Sequence, residues 1–383
     1  MAGTPWDRVA LGALAVLAVV AALTVVTDDP PRDADRPGPA SELLGAEPDW
    51  IRVGGLAAAP GSSGVRNGLV LLRQDGGLTL TDLRTGEPRW TVRAAARLAG
   101  STEVFSGGGI LVGAGVLVRT RTGIAMLSPD DGTVRWRSVV RAPPGERYAL
   151  VAADDETALV TVGPTRGGPP SVVAVDVGGG ERRWARAGMW PHGIAGDVVV
   201  GETALAGGTV AAWDLATGVP AWTLTGFVTA RVALTADDDV LVEGRTGPSR
   251  WARRVLEAAT GEPLADLGDP RAGPCATDWR TLIACPLVRG GRDHAVETFG
   301  VADRRVRILS GDYRPEYVCL VGAGHVFGAS PRSYFAVAAG SRGAGRLVAR
   351  DLPGRPVAVT ERYLVLRHDS GDPPSTSVYR LRK

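Results

Sequence analysis

An apolar strand, an acidic or small polar residue, a glycine turn and a tryptophan follow one another four times along this chain. The phrase reads LTLTDLRTGEPRW at Leu78–Trp90, IAMLSPDDGTVRW at Ile124–Trp136, VVAVDVGGGERRW at Val172–Trp184 and TVAAWDLATGVPAW at Thr209–Trp222. Its tryptophans, Trp90, Trp136, Trp184 and Trp222, lie 46, 48 and 38 residues apart. A period of this size marks stacked supersecondary units, so the repeat dictates a scaffold before it says anything about chemistry.

The runs within each unit are four to seven residues long, apolar or alternating, and punctuated by Gly, Asp and Pro. That is strand patterning, with little helical periodicity after residue 48. In DLRTGEPRW, Asp82 can accept from the turn backbone and Gly86 supplies the positive φ of a tight hairpin. Trp90 opens the next strand, where a large ring fills the wedge between neighbouring sheets. Glu257 and Gly261 repeat the phrase with Ala265 in the tryptophan slot, and Asp303 marks a degenerate copy. At another phase of the unit lie strand–turn–strand hairpins such as Ala149–Val162 and Ala233–Gly244. Their acidic clusters, Asp154–Asp155–Glu156 and Asp237–Asp238–Asp239, read as solvated hairpin tips rather than calcium loops, which must wrap several oxygens around one ion.

Two hairpins per period make about four strands per unit, the composition of a β-propeller blade. From Asp82 to Asp303 the strand ends recur about every 44 residues, and the 80 residues that remain hold two more units. The expectation is an all-β, eight-bladed β-propeller of four-stranded antiparallel blades, with seven blades as the alternative. The final hairpin stops where a tryptophan strand should follow. GAEPDWIRV at Gly45–Val53 matches TGEPRWTVR, with Trp50 in the slot of Trp90. The first strand is therefore expected to complete the last blade, leaving no free edge.

Val9–Val26 is an uncharged run of 18 residues, long enough as a helix to span about 27 Å of hydrocarbon. The chain divides into a short cytoplasmic tail (1–8), a transmembrane signal anchor (9–27), a Pro-rich linker (28–44) and the propeller (45–383). A cleaved signal peptide is the competing reading, although no small-x-small site ends the run. Export is compatible with a disulfide. Cys275 and Cys285 flank ATDWRTLIA, and a hairpin turning near residue 280 sets them opposite each other; two buried thiols are the alternative. Cys319 is left over, as a buried thiol. The balance of 43 basic and 41 acidic residues gives a net charge of +2, without the clustered basic surface that nucleic acid requires.

The unit strand–D–x–x–T–G–x–x–x–W resembles the PQQ-like propeller repeat. That resemblance implies one of two functions. Quinoprotein dehydrogenases carry pyrroloquinoline quinone and calcium, with adjacent cysteines and a Glu, Asn and Asp set; non-catalytic propellers include the scaffold of the outer-membrane barrel-assembly machinery. Here no two cysteines adjoin, and the single asparagine, Asn67, precedes a turn at Gly68. His192, His294, His325 and His368 show no metal-ligand spacing. No catalytic, cofactor-binding or metal residue is nominated. The expectation is a single-pass, membrane-anchored, monomeric extracytoplasmic propeller that binds envelope proteins without catalysis; the alternative is a quinone- or ligand-binding propeller of the oxidoreductase or sensor type.

Overall fold

The computed structural model describes residues 43–45, 47–57, 64–143, 146–164, 169–203, 209–278, 280–289, 293–309, 315–330, 333–339, 345–370 and 374–382. The expected anchor at residues 9–27 lies outside these. Among the described residues no helix is long and apolar enough to cross a membrane.

Eight antiparallel sheets follow one another along the chain, so the open question of seven or eight blades resolves to eight. Blades 1 to 7 span residues 55–92, 105–139, 146–187, 190–223, 229–267, 276–309 and 317–352. Blade 8 takes three strands from 355–380 and its outermost from Trp50–Val53, which pairs antiparallel with Ser375–Arg380. Trp50 is opposite Val378 and Val53 opposite Ser375, so the ring closes by joining the two ends of the propeller. An additional bridge joins Leu44 to Leu381.

The strands of each blade, called a to d from the channel outward, alternate direction. One face of the ring therefore carries the a–b tips and the c–d glycine turns; it is called the turn face. The opposite face carries the b–c turns and the links between blades; it is called the link face.

The core is divided to match. Eight apolar clusters lie among the described residues, each combining side chains of two neighbouring blades. Strands b and c carry long buried runs, such as Val70–Leu72 and Val240–Val242, because both their faces meet a neighbouring sheet. The outer d strands alternate: Val134–Val139 reads half-buried, exposed, half-buried throughout. Val, Leu and Ala dominate because sheets packed about 10 Å apart leave room for small branched side chains.

Two inner strands are irregular. In blade 1 the a position is filled by two short pieces, Gly55–Leu56 and Val65–Arg66, both paired with Leu69–Gln74. In blade 2 the register of Phe105–Val112 jumps from Phe105 opposite Thr120 to Gly109 opposite Val118.

Several expectations are corrected. Asp303 does not end a strand: it lies in the turn between Asp293–Gly300 and Arg305–Leu309, where Arg307 holds it. Asp239 is not a solvated tip residue but is fully buried, with the guanidinium of Arg304 from the next blade against it. Asp155, Glu156, Asp237 and Asp238 are exposed. Cys319 is half-buried rather than buried.

Candidate functional site

The repeated phrase does a single job on the turn face. Each Asp caps its own turn: Asp82 Oδ1 accepts from the amides of Arg84 and Thr85, both at 2.9 Å, and Asp214 Oδ1 from Thr217 N at 2.8 Å. Hydrogen bonding to the turn therefore holds both carboxyls below the ordinary carboxylate range, the Thr85 amide leading for Asp82 and the Thr217 hydroxyl for Asp214. The turn glycine takes a positive φ, 72° at Gly86 and 68° at Gly218.

The tryptophan does not pack onto its own turn but onto that of the next blade. A Cβ on Gly218 would lie 2.8 Å from Trp184 Cδ2, and one on Gly261 would lie 2.7 Å from Trp222 Cδ2. The indole N–H then donates to the carbonyl after the capping residue: Trp50 to Leu83 at 2.8 Å, Trp136 to Val177 at 2.8 Å, Trp184 to Leu215 at 2.7 Å and Trp222 to Ala258 at 2.7 Å. Trp90 covers Gly132 in the same manner, but its buried Nε1 has no hydrogen-bond partner. All five tryptophans of the repeat are thus spent on blade-to-blade contacts.

Cys275 and Cys285 form a disulfide within blade 6. Their neighbours Ala276 and Ala284 are register partners, which sets the two cysteines opposite each other, with Cα atoms 4.2 Å apart.

The link face carries the groups not committed to the scaffold. At blades 1–3 it opens into a chamber of about 660 Å³, lined by Arg73, Arg119, the Ser106–Gly109 run and Leu150. Arg119 is anchored there, its Nη2 donating to Ser106 O at 2.7 Å and its Nε to Ser106 Oγ at 3.2 Å. Tyr148 donates to Thr120 O at the same rim, and burial raises its phenol above the ordinary value.

Across blades 4–6 the same face holds buried carboxylates. Glu202 pairs with His192 at 3.0 Å and accepts from Val232 N at 3.1 Å. Glu243 pairs with exposed Arg231 at 2.9 Å and accepts from fully buried Arg253 Nε at 2.8 Å, while Arg253 Nη2 donates to Gly273 O at 2.7 Å. Beside this network, Val228 N donates to Arg245 O at 2.7 Å, and Arg245 is the strand partner of Trp251. Val228 and Trp251 are 67 % and 43 % exposed.

Of these link-face residues the sequence pointed only to His192, through a Trp190-Pro191-His192 trio that suggested a binding loop and lies instead in the strand Trp190–Ala195. The Ser-Gly-Gly-Gly run at 106–109 was the readable signal, since consecutive glycines within a strand mark a bulge or a close approach.

The family model described as outer membrane protein assembly factor BamB matches residues 56–224. Those residues hold four of the five tryptophans and three of the four turns that these four cover. Over residues 56–224 the chain carries the PQQ-like propeller repeat. No curated protein matches its sequence. Among solved structures, the propeller is similar to the quinohemoprotein alcohol dehydrogenase of Comamonas testosteroni, with 11 % identity over 90 % of this chain and 78 % of that one and a TM-score of 0.51. A europium-containing methanol dehydrogenase matches at 12 % identity over 89 % and 94 %, TM-score 0.52. BamB from Moraxella catarrhalis matches at 15 % identity over 84 % of each chain, TM-score 0.38. These likenesses concern the fold alone.

Among the described residues, the side chains do not bring together the adjacent cysteines and the Glu, Asn and Asp set that the dehydrogenase resemblance implies. The disulfide cysteines are ten residues apart, Cys275 just before the strand Ala276–Thr277 and Cys285 within Leu282–Arg289. Asn67 occupies a tight turn with φ 50° on the turn face. Among the described residues, no three His, Cys, Asp or Glu side chains converge as a metal site needs.

Proposed function

We propose that this PQQ-like propeller is a non-enzymatic, monomeric protein-interaction scaffold of the cell envelope, anchored through residues 9–27 and working outside the cytoplasm through its link face. The observation that carries the reading is the exposure of Val228 and Trp251 on that face: Trp251 is the register partner of Arg245, and Val228 precedes Thr229, the partner of Arg245 on its other side. Adjacent strands lie about 4.8 Å apart, so the backbones of Thr229 and Trp251 stand roughly 10 Å from each other with Arg245 between them, and Val228 adjoins the first of them. A tryptophan beside an arginine is the composition of protein-binding hot spots. The description of the matched family as an outer membrane protein assembly factor supports a role of the same kind.

Capture from envelope extracts by the detergent-solubilised full chain tests the reading. Discrete proteins retained by the wild type and lost from a Val228→Ser/Trp251→Ser variant are expected; equal retention by both would argue against this surface. A phosphatase reporter fused after Lys383 tests the location, with activity expected only outside the cytoplasm.

A further inference from the structure

We propose that the link-face chamber at blades 1–3 is a binding site for a small organic anion carrying two or more carboxylate or phosphate groups. The inference does not depend on the scaffold reading.

The inner strand of blade 2 is distorted to make the chamber. Three residues, Ser106, Gly107 and Gly108, lie between the paired positions Phe105 and Gly109, where the partner strand has only Arg119 between Thr120 and Val118. Bulges of this kind re-aim side chains and cluster at functional sites. Gly107 and Gly108 have φ values of 102° and 75°, a conformation that favours glycine. A Cβ at Gly107 would lie 3.6 Å from Arg119 Nη2, and one at Gly108 would lie 3.9 Å from Arg73 Nη2. The two guanidinium groups thus flank adjacent glycines, and the missing side chains leave open the space in front of them.

The charge there is uncompensated. Neither Arg73 nor Arg119 enters an ion pair among the described residues, although thirteen pairs form elsewhere. No carboxylate lines the chamber. Arg119 is also not free to swing away: Ser106 holds it through both its carbonyl and its hydroxyl, and that hydroxyl donates to Thr120 O at 2.6 Å. A fixed, partly shielded guanidinium beside a second, exposed one offers planar forks to oxyanions, the pairing that arginine makes best. The volume, about 660 Å³, is that of a small-molecule site rather than of a lone inorganic ion. Ala94, Ala95 and Leu150 supply apolar lining for a carbon body.

The test is isothermal titration of the full chain in detergent at low ionic strength, with citrate as the carboxylate probe and pyrophosphate as the phosphate probe. Saturable 1:1 binding of at least one probe is expected, and which one binds tells the carboxylate source from the phosphate source. Arg73→Gln and Arg119→Gln should each weaken it about tenfold or more, the loss of one charge-assisted fork. Arg84→Gln, which removes the same charge from the turn face, should leave the affinity unchanged. The Arg73 side chain is exposed, so its variant decides the matter if the Arg119 variant does not fold. Absence of binding by both probes, or unaltered binding in Arg73→Gln, would overturn the proposal.

Discussion

The indole nitrogen of Trp184 donates to the backbone oxygen of Leu215 at 2.7 Å, across a blade boundary and 31 residues of chain. The ring at the same time covers Gly218, four residues after Asp214 in the turn that Asp214 caps. Sequence repeat and ring assembly are therefore one device: the tryptophan of each unit is addressed to the turn of the next.

The device predicts unequal costs for equal substitutions. Trp184→Phe keeps a ring but loses a buried hydrogen bond, and should destabilise by about 1–2 kcal/mol. Trp90→Phe removes a buried N–H that has no partner, in a blade where Ser128 and Pro129 replace the capping pair. It should cost about 1 kcal/mol less than the Trp184 variant. Thermal unfolding of the two variants side by side gives the order.

Gly218→Ala and Gly68→Ala separate backbone strain from steric conflict. Both glycines have positive φ, 68° and 73°. A Cβ at Gly218 meets Trp184 at 2.8 Å, whereas one at Gly68 meets nothing within 4 Å. Strain alone should cost Gly68→Ala about 1–2 kcal/mol, and Gly218→Ala should lose distinctly more. Equal shifts in unfolding midpoint would mean that the indole gives way freely.

Ring closure can be trapped chemically. Ile51 is the register partner of Ser377. A chain carrying Ile51→Cys and Ser377→Cys should oxidise to an intramolecular link between segments more than 300 residues apart in sequence, read by mass spectrometry of the digest. Links appearing only between two chains would place the first strand in a neighbour's last blade.

Acid should loosen the turns. Asp82, Asp176 and Asp214 are held below their ordinary value of 3.8, by the Thr85 amide, by Arg183 and by the Thr217 hydroxyl respectively. A depressed folded-state pKa gives stability that is present above the unfolded value and is lost as pH falls through the folded one. Unfolding midpoints should therefore drop below about pH 4, and less so in Asp176→Asn. Asp239 acts the other way: burial raises its pKa, so its contribution is greatest in acid and is lost as pH rises through the folded value.

The parts of this molecule legible in the sequence are those whose chemistry is local. Asp82, Gly86 and Trp90 sit within one short segment, so turn, strand order and period could be read together, and Trp50 betrayed the closing strand by the same signature. Blade 6 misled because its turn lacks the pattern: Asp303 lies among Ala302, Arg304 and Arg305, where an acidic residue alone fixes no register. Asp239 looked like a solvated tip because the residue that buries it, Arg304, belongs to the following blade. The chamber was hidden for the same reason. Arg73 and Arg119 lie on different blades, and only the Ser106–Gly109 bulge between them reveals that they face one space.

The claim that the link face is the working surface is tested most directly by in-cell photo-cross-linking. A benzophenone amino acid is placed at Trp251 on the link face and, in a second strain, at Arg84 on the turn face. Discrete protein adducts from position 251, and none from position 84, are the predicted result. Adducts from position 84 alone, or from neither, would contradict it.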